Sequence, residues 1–275
     1  MLSSIKIAAP TLFSKVITMK THVDPNIFLT YRAKDIQTKM SSNPTCVDIS
    51  ESPEEALLKL DAKDYDQAPV VSNQVVIGWV LRRDLRGASS IENVLHKLSH
   101  RDLIGDESPL DDALQRLIKQ ELIFTIGADG VVGFIVRSDI ERHVSRAHMY
   151  LLISGLEILM TKNLELEIVN FDILETFMSK DSRTAWLRAR ENSSDANPIE
   201  YLDTFGLAKA LSNNQRIMNH IAMNKQDWLN YMFTLKQIRN WVAHGNTQEL
   251  TAYPFVEIVH ILKKAEEIVK RLNSY

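Results

Sequence analysis

The chain has 275 residues, of which 45% are hydrophobic and 24% charged, with a formal net charge of −3. That balance is the one expected of a globular protein with an ordinary core, and the length accommodates one large domain or two ordinary ones. The charge gives no global reason to expect a polyanionic partner, although a local basic patch would suffice for one. Cys46 is the single cysteine, which excludes an intramolecular disulfide and a structural zinc site built on several thiolates.

Residues 1–32 form an N-terminal extension. Its apolar stretch from Ile7 to Phe13 is short and interrupted by Pro10 and Thr11, so it lacks the core of a signal peptide. No run in the chain approaches the ~18 consecutive apolar residues of a membrane span. A cytoplasmic protein with no membrane association is expected.

From residue 33 to about 145, short β-rich runs alternate with helical patterns, and the pattern occurs twice. In the first copy a strand at Cys46 to Ile49 leads into Glu51-Ser52-Pro53-Glu54-Glu55. That is a helix start: a serine N-cap, proline at the first helical position and acids where the helix dipole favours them. Strands at Pro69 to Val71 and Val75 to Val80 follow, around the turn Ser72-Asn73-Gln74. The second copy has a strand at Asp102 to Gly105, the helix start Ser108-Pro109 with Asp111 and Asp112, and strands at Leu122 to Ile126 and Val131 to Val136. Both copies close alike, with Gly78-Trp79-Val80-Leu81-Arg82-Arg83-Asp84 and Gly133-Phe134-Ile135-Val136-Arg137-Ser138-Asp139. The offset of 55 residues from Gly78 to Gly133 marks a duplicated supersecondary unit.

This order, with its serine-proline-acid helix start and its Gly-led motif ending in Asp, resembles a tandem pair of CBS domains, or Bateman module, with repeats at 33–90 and 91–145. The resemblance implies an adenine nucleotide (ATP, ADP or AMP) as regulatory ligand in a cleft between the units. It also implies that Asp84 and Asp139 hold the ribose hydroxyls. Family members that bind ligand carry Thr or Ser at the fourth motif position, where this chain has Leu81 and Val136. Arg82 and Arg137, one step later, are the substitutes for phosphate contact. The alternative reading is a purely structural pair in which both aspartates cap the helices that follow them.

Residues 146–275 read as helix throughout, which makes the fold class α+β, with an all-helical bundle after the βα repeats. The first helix, Ile140 to Thr161, carries an apolar face at Val144, Ala147, Tyr150, Leu151, Ile153, Leu156, Ile158 and Leu159. Further helices are expected at Phe171 to Met178, Ser182 to Arg190, Ile199 to Leu211, Arg216 to Met223, Lys225 to Val242 and Tyr253 to Asn273, with a polar loop at Glu191 to Pro198. Within Lys225 to Val242 the residues Trp228, Tyr231, Met232, Leu235, Ile238 and Val242 share one apolar face.

That helix ends in Ile238-Arg239-Asn240-Trp241-Val242-Ala243-His244-Gly245. An Arg-Asn-x-x-x-His ending in a helical domain resembles the HEPN superfamily, whose active members are dimeric, metal-independent ribonucleases. The resemblance implies that His244 moves a proton, that Arg239 stabilises charge on the phosphate, and that Asn240 orients the pair; no cofactor is required for such catalysis. On an unbroken helix Arg239 and His244 stand about 140° apart, so they converge only if the helix loosens at Gly245 or a second subunit completes the site. A subgroup of that superfamily has a modifiable tyrosine where this chain has Asn246. Lys180, Arg183, Arg188 and Arg190 around Trp186 are the local candidates for holding RNA, with Trp186 stacking on a base; the alternative is a solvated helix face with a buried Trp. The histidines show no metal-ligand spacing, and His143 and His148 are five apart.

The reading that follows is a nucleotide-sensing pair controlling a metal-independent endoribonuclease, a defence or stress effector. It would act as a homodimer on RNA, with an antitoxin or other protein partner. The alternative is a non-catalytic sensor or adaptor whose bundle mediates dimerisation or partner binding.

Overall fold

The computed structural model describes residues 31–167, 171–192, 196–244 and 253–275. The extension before Tyr31, Gly245, Asn246 and the side chain of His244 lie outside the described residues.

In the first unit the helix start forms as its residues dictate. Helix α2 (Pro53–Asp61) is capped by Ser52, whose hydroxyl accepts from the Glu55 amide at 3.2 Å, while the Glu55 carboxylate accepts from the Ser52 amide at 3.0 Å. Strand β2 (Val47–Asp48) runs parallel to β3 (Gln67–Ser72), which pairs antiparallel with β4 (Val75–Leu81). The second unit repeats this with β6 (Leu103–Gly105), α5 (Leu110–Leu117), β7 (Leu122–Gly127) and β8 (Gly130–Val136). A register irregularity between Val70 and Val71 recurs 55 residues on, between Thr125 and Ile126.

One expectation fails at α5. Ser108 does not cap it; Pro109 occupies the N-cap position with φ −53° and ψ 144°, and the helix begins at Leu110. The cause is a competing partner. The Ser108 carbonyl accepts from the Ala33 amide at 2.9 Å, and the Leu110 amide donates to the Tyr31 carbonyl at 3.1 Å, so this backbone is held extended against residues 31–33.

The leading strand of each unit belongs to the other unit's sheet. Strand β1 (Thr38–Lys39) pairs antiparallel with β8, and β5 (His96–Lys97) pairs antiparallel with β4, giving the orders β1-β8-β7-β6 and β2-β3-β4-β5. This exchange explains the glycine that opens the repeated motif. A Cβ on Gly78 would lie 2.2 Å from the His96 carbonyl oxygen, and one on Gly133 would lie 2.8 Å from that of Thr38. Only a residue without a side chain lets the lent strand approach.

Among the described residues, three hydrophobic cores result. Trp79 and Leu81 of β4 meet Leu122 and Phe124 of β7 between the two sheets. Ala56 and Leu60 of α2 close over Val70 and Val80 on the outer face of the first sheet. On the outer face of the second, Leu110, Leu114 and Leu117 of α5 belong to one cluster with Met149, Leu152, Leu262 and Val269 of the helical half. The second unit and the bundle thus share a continuous core across residue 145.

The bundle comprises α6 (His143–Glu167), α7 (Lys180–Asn192), α8 (Thr204–Leu211), α9 (Gln215–Ile221), α10 (Lys225–His244) and α11 (Phe255–Asn273). The apolar face expected of α10 is buried: Trp228, Met232, Leu235 and Ile238 are at most 1% exposed. Burial of such side chains contributes about 1.5–3 kcal/mol each. The helix expected over Ile199 to Leu211 is interrupted: a 3₁₀ turn covers Pro198–Tyr201, and Asp203 then caps α8. The buried face of α6 keeps the expected Ile153, Leu156 and Leu159 but departs from the apolar pattern elsewhere. Tyr150 and Ile158 are 43% and 48% exposed, while Ser145, His148 and Asn163 are inside. Those polar groups are admitted because each has a partner: Ser145 Oγ donates to the Asp139 carbonyl, His148 meets Asp111, and Asn163 donates to the Leu159 and Leu272 carbonyls.

Candidate functional site

A cavity of about 530 Å³ opens where the two units meet. It is lined by equivalent positions of both repeats: Leu81, Arg82 and Arg83 face Val136, Arg137 and Ser138, and Asp66 is matched by Glu121. Gln67 ties the halves by donating its side-chain amide to the Glu121 carbonyl at 3.0 Å. Arg86, just beyond the first motif, completes a ring of four arginines.

The four are not equivalent. Arg82 is engaged by Asp64 at 2.9 Å and Asp66 at 2.7 Å, and these acids raise its pKa through the Asp64 hydrogen bond and charge. Arg137 donates to the Leu117 and Ile118 carbonyls at 2.9 and 3.3 Å, which satisfies the C-terminal end of α5. Arg83 is 69% exposed and only loosely paired with Glu121, at 3.5 Å. Arg83 also lies 3.8 Å from Asp84, and among the described residues Arg86 has no ion-pair partner, so Arg83 and Arg86 hold the cavity's least engaged positive charge.

The aspartates expected to clamp ribose lie outside this lining. Asp139 is 5% exposed, and its carboxylate accepts from the Val136 amide at 2.8 Å and from Arg142 at 2.6 Å. Burial pushes its carboxyl up; the Val136 amide and Arg142 oppose that rise. It closes the 3₁₀ turn Arg137–Glu141 after β8 from the third position of a capping box, whereas the sequence alternative has it capping the helix that follows. Asp84 does not cap; it lies 3.2 Å from His96 Nε2, and the His96 ring stacks on Trp79 with centroids 4.3 Å apart. Ser138 supplies a hydroxyl at the motif's variable position rather than at the fourth. The sequence signal that would have found Arg83 and Ser138 was that same position read in both repeats.

In the bundle, Arg239 of α10 pairs with Glu157 of α6, with Nε 3.4 Å from the carboxylate, and the neighbouring Asn240 is half-buried. A groove of about 650 Å³ flanks the end of α10, lined by Tyr31, His143, Arg146, Tyr150, Val242 and Ala243. The basic segment on α7 is exposed at Lys180, Arg183, Arg188 and Arg190. Trp186 is different: it is 5% exposed and the Arg190 guanidinium lies 5.3 Å from its ring centroid. The indole is packed inside, so the expected base-stacking surface is not presented.

A further cluster had no signal in the sequence. His148 of α6 places Nε2 2.8 Å from Asp111 of α5, and a Glu266 carboxylate oxygen of α11 lies within 4.8 Å of both. Burial, and then the Asp111 carboxylate, push the Glu266 carboxyl up to about 8. The three residues are joined only by folding; 155 positions separate Asp111 from Glu266.

A family model described as the CBS domain matches residues 33–91. No curated protein matches the chain. Among solved structures the chain is similar to the CBS-pair protein CBSX2 from Arabidopsis thaliana, with 20% identity and a TM-score of 0.38 over 42% of this chain and 96% of that one. It is similar to CBSX2 in complex with AMP, with 22% identity and a TM-score of 0.38 over 42% and 98%. It is also similar to a hemolysin-like protein containing a CBS domain from Oenococcus oeni, with 17% identity and a TM-score of 0.37 over 42% and 90%. Among the described residues, no helix is long and apolar enough to cross a membrane.

Proposed function

We propose that this chain is a regulatory protein whose paired βα units sense an adenine nucleotide and pass its occupancy to the helical bundle. The observation that carries the reading is the arginine-lined cavity built from equivalent positions of both repeats. Its volume lies within the roughly 300–1,000 Å³ of small-molecule sites. Arg83 and Arg86 supply charge for phosphate, the Ser138 hydroxyl a further hydrogen bond, and Asp66 and Glu121 are acceptors for ribose hydroxyls. The CBS domain matched over residues 33–91 supports a regulatory rather than a catalytic role for this half. The shared core with α5 supports transmission, because a shift of the second unit cannot leave the bundle packing unchanged.

Calorimetric titration of ATP, ADP and AMP into the wild type, Arg83→Ala and Arg86→Ala tests this. Loss of one charge-assisted hydrogen bond is worth about 1.5–3 kcal/mol, so each variant should bind roughly 10- to 100-fold more weakly. Absence of binding for all three nucleotides, or binding by both variants as tight as that of the wild type, overturns it.

For the output we infer RNA cleavage at the end of α10 by a homodimer. Arg239 and Asn240 are the groups for the phosphate, His244 is the proton carrier, and no cofactor is required. The groove beside Val242 and Ala243, flanked by His143 and Arg146, is the observation that favours it. An antitoxin-type partner would act by covering that groove. Metal-independent cleavage of an RNA pool that disappears in His244→Ala supports this output, and cleavage unchanged in that variant refutes it. No cleavage in any nucleotide leaves a bundle that binds a partner, as in the adaptor reading.

A further inference from the structure

We propose that Asp111, His148 and Glu266 form a binding site for a divalent transition-metal cation, zinc being the representative, which clasps the second βα unit to the helical bundle. The residues come from three separate helices, α5, α6 and α11, and one ligand atom from each lies within 4.8 Å of the other two. The donor set is one imidazole and two carboxylates, which suits zinc and its neighbours; an imidazole is a poor ligand for magnesium or calcium.

The site differs from an ordinary surface carboxylate pair in two respects. His148 is 1% exposed, so its imidazole was taken into the interior beside Asp111 rather than left in water. Behind the cluster lies a cavity of about 150 Å³, lined by Asp111, Asp112, Leu114, Gln115 on α5 and by Leu262, Glu266 and their neighbours on α11. Asp111 and Glu266 line it and His148 does not, so it offers space for a water at the fourth position that three protein ligands leave open.

In a tetrahedral zinc site with bonds near ~2.1 Å, ligand atoms stand roughly 3.4 Å apart. Binding therefore asks the 2.8 Å contact between His148 and Asp111 to open by a few tenths of an ångström. Asp112 adds negative charge to the neighbourhood, while Lys263 lines the cavity and the Lys270 ammonium favours the charged Glu266 carboxylate. Both lysines are exposed and can swing into solvent. The proposal is independent of whether the arginine-lined cavity binds nucleotide.

The test uses the full chain, stripped with EDTA and dialysed. Equilibrium dialysis against zinc chloride with elemental analysis gives the stoichiometry, and thermal unfolding with and without zinc gives the linkage. The expected result is one zinc per chain and a zinc-dependent rise in Tm. Glu266→Gln and Asp111→Asn, which preserve shape, should each weaken binding at least tenfold and abolish the rise, whereas His143→Ala on the same helix should bind as the wild type does. Cobalt(II) added to the wild type reports the site without any substitution, by an absorption typical of four- or five-coordinate cobalt rather than the hexaaqua ion. Less than one zinc per chain, a hexaaqua-like cobalt spectrum, or undiminished binding in Glu266→Gln and Asp111→Asn would each overturn the proposal.

Discussion

Arg146 donates through Nη2 to the carbonyl oxygen of Val242 at 2.9 Å, and its guanidinium lies 5.7 Å from the Trp241 ring centroid. The preceding residue, Ser145, donates to the carbonyl of Asp139, the last residue of the second repeated motif, at 2.8 Å. Two consecutive side chains therefore tie the end of the second βα unit to the end of α10. Replacing Arg146 with Met keeps much of its stem but removes the charge and the bond. We expect a loss of about 1.5–3 kcal/mol in urea unfolding, the usual worth of a hydrogen bond from a charged group. Unchanged stability would mean that the contact is incidental.

Substitution of the motif glycines separates close approach from backbone conformation. Gly78→Ala and Gly133→Ala place a Cβ against a backbone carbonyl of the lent strand, so each should cost more than about 2 kcal/mol, as overpacking does. Gly87 has φ +77° with nothing within 4 Å of a Cβ. There alanine meets only the left-handed penalty, about 1–2 kcal/mol. Chemical denaturation of the three variants should rank Gly87→Ala the most stable.

Asp203 gives a pH signature. Burial pushes its carboxyl up, but the Gly206 amide at 2.7 Å and Lys236 at 3.1 Å outweigh this and hold it below its ordinary value of 3.8. A carboxyl whose folded pKa is depressed contributes stability that is present above the unfolded value and lost as pH falls through the folded one. Asp203→Ala should cost about 0.5–2 kcal/mol at neutral pH, as loss of a helix cap does. The difference between variant and wild type should shrink below pH 4, and a constant difference across that range would contradict the assignment.

Glu157 decides how Arg239 is held. It faces the Arg239 guanidinium and also accepts from the Thr204 hydroxyl. A double-mutant cycle with Glu157→Gln and Arg239→Ala should give a coupling of about 0.5–1 kcal/mol, because the pair is partly exposed. Zero coupling would indicate that Arg239 is free for other work.

Much of the fold is legible in the sequence. Ser52 and Glu55 announce a capping box, the 55-residue offset announces the duplication, and the face from Trp228 to Val242 announces a core helix. The strand exchange could not be read, because β1 and β5 are two residues long and carry no apolar alternation. The buried face of α6 was misread for a related reason: periodicity counts apolar residues, whereas this helix buries Ser145, His148 and Asn163, whose partners lie elsewhere in the chain. At the cavity, Arg82 and Arg137 were identified, but Arg83, Arg86 and Ser138 were not, since the motif treats their positions as variable or ends before them. Nothing in the linear pattern joins Asp111, His148 and Glu266.

The lending of β1 and β5 has a consequence for truncated chains. A cut between the two units would strip β4 and β8 of the strands that cover them, baring main-chain donors and acceptors along two open edges, each ready to template aggregation. Each half completes its sheet only with a strand from the other. The same reciprocity lets two separate copies satisfy each other, so fragments that survive should be recovered as intertwined dimers rather than monomers.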